Sequence, residues 1–345
     1  MYDIVIIGNG PAASTFARCI STKYKKVAII NFESKNHKPC GGLLSPDAQK
    51  CLAMFDLTLP KDILVSPQIF SVKVLDLNTK ITRYYQRYYL NMDRSKFDKY
   101  LYSLINDNIE KINDRVLEMK KEKDYFKLKL SNKTLKSKYI IGADGASGIT
   151  RNTFIKKKID SYLAVQEWYK IDNKTSEYSC IFDKETSSSC SWTLNKDDYF
   201  IYGGCFNKTN GIKDFNKQKE KLSKYLNINL NNPVKKESCL VNNPKSYFDF
   251  QTGKDGVYLI GEAAGFISAS SYEGISNAIS SAAILAEVFN KYNNPKKITK
   301  HYKLKSIKLK LKLTFKIFKK KLIFNELTRN IIMKSNITSI KKYKK

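Results

Sequence analysis

The sequence predicts an α/β protein. One domain is built on a parallel sheet assembled from three separated stretches, an antiparallel sheet domain lies between them, and a basic helical tail follows. Three observations predict this. A glycine-rich turn, Gly8-Asn9-Gly10-Pro11-Ala12-Ala13, follows an apolar run at the start of the chain. Two more, Gly142-Ala143-Asp144-Gly145 and Leu259-Ile260-Gly261-Glu262-Ala263-Ala264-Gly265, follow similar runs in the middle and near the end. The stretches between them alternate with period two, as half-buried strands do.

Tyr2-Asp3-Ile4-Val5-Ile6-Ile7 is an apolar run that fits a central parallel strand. Gly8 permits the tight turn behind it, and Gly10 lets the backbone approach a pyrophosphate. Pro11, Ala12 and Ala13 complete the turn, and Ala13, in place of a third glycine, still allows close helix packing. A helix is predicted from Ala12 to Ile20, its N–H groups and positive dipole end turned to phosphates. A second strand is predicted at Val27–Ile30. The acidic residue that usually grips a ribose should close it. Asn31 occupies that place and Glu33 lies two residues on.

The second turn, with Asp144 and Gly145, ends a strand at Tyr139-Ile140-Ile141. The third ends a strand at Val257-Tyr258-Leu259-Ile260, and a helix opens near Glu273-Gly274-Ile275. Glu262, at a strand end beside Gly261, can hold a ribityl hydroxyl. A helix N-terminus at Gly274 and Ile275 can place N–H groups on a flavin pyrimidine. One such turn is weak evidence. Three in this order describe a site for FAD.

The three motifs resemble those of the flavoprotein group that includes aromatic hydroxylases, tryptophan halogenases and geranylgeranyl reductases. Two stretches narrow the resemblance. Lys38-Pro39-Cys40-Gly41-Gly42-Leu43-Leu44 is similar to the Cys-Gly-Gly segment of the geranylgeranyl reductase family. Cys190-Ser191-Trp192-Thr193-Leu194-Asn195-Lys196 resembles its Tyr-x-Trp-x-Phe-Pro segment, with only the tryptophan kept. Asp47-Ala48-Gln49, Asn91-Met92-Asp93-Arg94, Tyr178–Asp183 and Phe266–Ser271 read like the CbrA-type oxidoreductases of that family. The resemblance implies an FAD-binding Rossmann-like domain of the aromatic hydroxylase type. It places Gly8–Ala13 on the pyrophosphate, Asn31 or Glu33 on the ribose, and Arg94 on phosphates or ribose. Val116 would lie near the adenine, Gly41 and Gly42 near the ring, and Glu262, Gly274 and Ile275 on the ribityl and pyrimidine. Cys40 is then either a group beside the reacting ring or a small packing residue in a turn. Trp192 is either a wall of the substrate tunnel or core.

The motifs divide the chain into an FAD-binding domain (1–65, 93–160 and 251–295), a substrate-binding sheet domain (66–92 and 161–250) and a tail (296–345). Strands are predicted at Gln68–Leu75 and within Arg83–Leu90, Tyr178–Phe182 and Tyr199–Gly203. Seven scattered cysteines form neither a Cys-x-x-Cys pair nor an even set, which argues against a disulfide framework and a zinc site. The first strand starts almost at once, leaving no room for a cleavable leader, so a cytoplasmic protein is expected. The two histidines, His37 and His301, stand outside any nucleophile or metal pattern, so no metal is expected.

The net charge is +30, and Lys296–Lys345 holds 18 basic residues against one acid, Glu326. Leu304, Ile307, Leu311, Phe315, Phe318 and Leu322 recur at helical spacing there, and Leu309, Leu313, Ile317 and Ile323 broaden the stripe. Such a helix can lie in an anionic membrane interface or dock on its own domain. Arginine is scarce and no binding motif appears, so nucleic acid is not an expected partner. The function expected is an FAD-dependent oxidoreductase that reduces carbon–carbon double bonds of an isoprenoid or other lipid, with NAD(P)H or another electron donor. A flavin monooxygenase and a non-enzymatic, membrane-associated flavin protein are the alternatives.

Overall fold

The computed structural model describes residues 1–32, 39–171 and 177–343. Glu33 lies outside the described residues. The chain forms two compact units, the first from Met1–Lys35, Ser95–Asp160 and Asn242–Ile317, the second from Asn36–Arg94, Ser161–Val241 and Phe318–Lys345.

In the first unit the strand Tyr2–Ile7 is central. It pairs in parallel with Val27–Asn31 on one side and Thr134–Gly142 on the other. Val257–Leu259 extends the parallel sheet beyond Thr134–Gly142, and Ile109–Asn113 closes the far side beside Val27–Asn31. Ile4, Val5 and Ile6 are wholly buried, as a strand covered on both faces should be. The helices Pro11–Cys19 and Ile275–Lys291 cover one face. Small residues let them close up: Ala13 and Ala17 share a core with Ala278, Ala282 and Ala286. Phe16 meets Phe289 edge-on at 5.6 Å between ring centroids. Val116–Lys121 and Phe126–Leu130 add an antiparallel ribbon whose inner residues form a core on the other face.

The second unit carries an eight-stranded sheet. In spatial order its strands are Lys235–Asn242, Ser161–Lys170, Tyr199–Asn207, Ser191–Lys196, Tyr178–Phe182, Ile69–Asp76, Thr82–Asn91 and Leu43–Leu44. It is antiparallel with one exception that corrects the expectation: Tyr178–Phe182 runs parallel to Ile69–Asp76. A tight hairpin cannot join parallel neighbours. Here the chain between them includes Ser95–Asp160 of the first unit, ample length for the return. A helix that sequence reading passed over, Gly211–Leu226, packs Phe215 and Leu222 on this sheet, with Phe215 stacked on Tyr202 at 4.8 Å.

Three boundaries differ from expectation, the first being that residues 242–250 group with the first unit. Residues 39–65 group with the second unit, because Leu43–Leu44 pairs with Thr82–Asn91 and Asp93 N donates to Ile63 O. The tail is no separate body: its helices Pro295–Lys305 and Ile307–Phe324 start in the first unit, and Glu326–Lys334 belongs to the second. Asn294 caps the first of these by accepting from Lys296 N and Lys297 N, with Pro295 at the first helical position. The expected single broad stripe is also two faces. Leu309, Leu313 and Ile317 are buried against Phe250, Phe266 and Ala264, while Ile307, Leu311, Phe315, Phe318 and Leu322 are exposed. At about 100° per residue the two sets lie on opposite sides of the helix.

Candidate cofactor site

In the first unit the fold brings the three glycine-rich turns together. Ala143 N donates to Ile7 O at 2.9 Å, which sets the second turn beside the first. Gly8, at φ +118°, has no room for a side chain, since a Cβ there would stand 2.4 Å from Ala143 O. The third turn reaches the first through Gly261, where a Cβ would fall 2.9 Å from that of Ala12. Absent side chains therefore decide this meeting of backbones.

Gly10 is different. Its φ of −76° suits any residue, and a Cβ there would meet nothing within 4 Å. Open ground thus lies directly before the N-terminus of Pro11–Cys19, where N–H groups lack helical partners. An anion such as a pyrophosphate suits that ground. Gly145, at φ +75°, likewise faces open space. Asn31 closes the second strand as predicted, and its buried Oδ1 has no hydrogen-bond partner among the described residues. A buried acceptor left in that state is costly, so the position is ready for a donor such as a ribose hydroxyl. Asp144 Oδ2 accepts from Thr150 N at 2.8 Å and Thr150 Oγ1 at 2.9 Å, while Oδ1 is shut from solvent without a partner among the described residues. Its withdrawal from water pushes the carboxyl pKa upward. Val116 is a core residue packed with Val5, Ile7 and Ile30.

Glu262 sits in the turn Gly261–Ala264 and accepts from Asn242 N through Oε1 at 2.9 Å, while its carbonyl accepts from Asn242 Nδ2. Gly274 precedes the helix Ile275–Lys291, and Glu273 Oε1 accepts from Ser276 N. Sequence reading missed Asn242 and Arg151. Arg151 is buried and donates to the carbonyls of Ala263, Asp249 and Lys157, which braces the third turn from behind. Burial pushes its pKa down to about 10. Neither residue has a local signal, because their partners lie 20 or more residues away for Asn242 and up to 112 for Arg151.

The second unit holds Cys40, Gly41, Gly42, Arg94 and Trp192. Cys40 Sγ accepts from Gly42 N and from Arg94 Nη1, each at 3.4 Å. Gly42 sits at φ +60°, and Lys196 fastens its turn. The ammonium of Lys196 donates to Asn91 Oδ1 at 2.6 Å, Met92 O at 2.7 Å and Gly42 O at 3.3 Å. All three acceptors are neutral, so burial dominates and pushes its pKa down to about 8. Trp192 is half-buried, donates to Gln166 Oε1 at 3.1 Å and lies over Gly203, where a Cβ would stand 2.6 Å from the indole.

Lys196 yields a pH test. The unfolded chain holds its proton up to about 10.5, whereas the folded protein releases it near 8. Folding is thus penalised below about pH 8, and the penalty is relieved as pH rises, at up to ~1.4 kcal/mol per unit. Between about pH 7.5 and about pH 9.5 the parent should gain on the order of 2 kcal/mol over Lys196→Met in urea unfolding. Parallel pH profiles for the two proteins would show that the ammonium is not held in this way.

No protein-family model matches the chain. Protein CbrA of Escherichia coli O6:H1 is 40% identical over 357 aligned residues, covering 99% of this chain and 96% of the relative. Among solved structures, a geranylgeranyl bacteriochlorophyll reductase-like protein from Thermoplasma acidophilum superposes with a TM-score of 0.79 at 20% identity, covering 99% of this chain and 92% of the other. Klebsiella pneumoniae HpxO, solved with FAD and uric acid, superposes with a TM-score of 0.70 at 12% identity, covering 97% and 92%. These two share the fold with this chain, and the identity along nearly its whole length shows that the chain belongs to the CbrA family.

Proposed function

We propose that this protein binds FAD non-covalently and reduces carbon–carbon double bonds of an isoprenoid or polyprenyl lipid. The cradle carries the cofactor half of this reading: open ground over Gly10 at a helix N-terminus, with an Asn31 side-chain carbonyl that has no partner among the described residues at the end of the neighbouring strand. In that arrangement Pro11, Ala12 and Ala13 line the phosphates, and Asn31 accepts from the ribose. Asn242 holds the Glu262 carboxylate in place for the ribityl chain. When bound and reduced, FAD would supply the hydride for the alkene, and NAD(P)H or another donor of two electrons would restore it.

The substrate half rests on the Cys40-Gly41-Gly42 segment and on the fold shared with the reductase-like protein from Thermoplasma. Lys196 and Arg94 fix the conformation of that segment. Trp192, half-buried, offers an apolar wall. A flavin monooxygenase is the second reading, favoured by the fold shared with PqsL of Pseudomonas aeruginosa, a probable FAD-dependent monooxygenase that superposes with a TM-score of 0.71 at 12% identity, covering 97% and 99% of the two chains.

Two measurements test the proposal. Heat should release FAD rather than FMN from the yellow protein; FMN alone, or no reconstitution with FAD, would sink the cofactor assignment. The photoreduced protein should then recover its oxidised spectrum when a polyprenyl substrate is added without oxygen. Recovery only when oxygen is admitted with the substrate would make it a monooxygenase, and no substrate-dependent recovery would leave a flavin-binding protein.

A further inference from the structure

We infer that the exposed face of the helix Ile307–Phe324 seats this protein on an anionic lipid surface. The helix is apolar on two opposite sides. One side is used by the fold: Leu309, Leu313 and Ile317 are buried in the core with Phe250 and Phe266. The other carries Ile307, Leu311, Phe315, Phe318 and Leu322, the last four between 55% and 68% exposed. Their spacing of three and four residues puts them in one stripe over four turns. A helix of a water-soluble surface carries polar residues opposite its docked face. A continuous apolar stripe there marks a surface that meets something apolar.

Charge selects the partner. The helix holds seven lysines and no acid. Lys308 and Lys312 border the exposed stripe on one side and Lys321 on the other, by the same helical projection. On the docked side Lys310 lies over the Tyr247 ring at 5.5 Å and Lys320 over the Tyr162 ring at 4.6 Å. The last fifty residues carry +17 of the total +30. A second copy of the chain would press two such lysine-rich helices together. A nucleic acid would set Phe315 and Phe318 against phosphates. An anionic bilayer satisfies both features, because its acyl boundary accepts the apolar stripe while its headgroups accept the flanking ammonium groups. Among the described residues no helix is long and apolar enough to cross a membrane, so this contact lies in the interface plane. The next helix repeats the pattern, with Leu327 and Ile331 exposed while Arg329 and Met333 are buried.

The inference is independent of the flavin reading, and its test needs no substrate. The full-length protein is sedimented with phosphatidylcholine vesicles containing roughly one-third phosphatidylglycerol, and with phosphatidylcholine alone, at low and high salt. Binding to the anionic vesicles at low salt is expected. It should weaken at least about tenfold without the anionic lipid or at high salt, where charges are screened. The variant Leu311→Ser/Phe315→Ser/Phe318→Ser, monodisperse and with the parent's circular dichroism, should lose binding by a similar factor. So should Lys308→Gln/Lys312→Gln/Lys321→Gln. As a probe that leaves the stripe apolar, Phe315→Trp should shift its emission to the blue on adding anionic vesicles. A parent that stays in the supernatant overturns the inference. So does an apolar-face variant that binds as well as the parent, or a Phe315→Trp emission that vesicles do not change. A parent that is dimeric and ignores vesicles, with the apolar-face variant monomeric, would assign the stripe to a second copy instead.

Discussion

Gly10→Val is expected to leave the protein folded and to abolish flavin binding, whereas Gly8→Ala is expected to prevent folding. The two glycines stand two residues apart in one turn and differ in what surrounds them. Gly8 has φ +118°, where an L side chain is strained, and its Cβ would stand 2.4 Å from Ala143 O, a backbone atom that cannot step aside. Gly10 has φ −76° and ψ −177°, ordinary for valine, and its Cβ would meet nothing within 4 Å among the described residues beyond its chain neighbours. The protein therefore loses little from valine at this helix cap, about 1 kcal/mol by analogy with other apolar caps. A pyrophosphate would lose its ground, and a weakening of at least about 100-fold, near 2.7 kcal/mol, is expected. The flavin-to-protein ratio after purification and a thermal melt of the apoprotein check both halves. Full flavin in Gly10→Val would show that the cofactor does not sit over this helix.

Arg329→Met is expected to destabilise the protein by about 3–5 kcal/mol, the cost of leaving a buried charge without its partner. Arg329 Nε donates to Asp76 Oδ2 at 2.8 Å, its Nη2 lies 2.7 Å from the same oxygen, and the two side chains are 4% and 0% exposed. Asp76 also shapes the turn after its strand, accepting from Asn78 N and Thr79 N through Oδ1. Asn at position 76 keeps that acceptor and removes the charge. Arg329→Met combined with Asp76→Asn should therefore recover most of the loss, which a simple cavity would not permit. Chemical denaturation of the parent, the single variant and the pair checks this. A single variant within about 1 kcal/mol of the parent would place Arg329 among surface pairs of little worth.

What the chain revealed unaided was local. The strand Tyr2–Ile7, the turn at Gly8–Ala13 and the helix behind it are written in contiguous residues, because apolar runs and glycines act over a few positions. The strands near Ile69–Asp76 and at Tyr178–Phe182, the turn at Gly261–Glu262 and the helical nature of the tail were legible for the same reason. The meeting of the three turns was expected from their order along the chain and from the resemblance. Tertiary structure decided it through contacts such as Gly8 on Ala143 and Gly261 on Ala12, where backbones approach because side chains are missing.

Other features belong to long-range packing alone. Lys196, Arg151 and Asn242 look like ordinary polar residues in the sequence, and burial against distant carbonyls and carboxylates makes them braces. The parallel pairing of Tyr178–Phe182 with Ile69–Asp76 bridges about a hundred residues, beyond any periodicity. The tail helix is the clearest case. Both of its sides carry aliphatic residues at helical spacing, so the pattern says that the helix is apolar but not which side the core takes. Only the core formed with Phe250 and Phe266 chose Leu309, Leu313 and Ile317, and left Ile307, Leu311, Phe315, Phe318 and Leu322 facing outward.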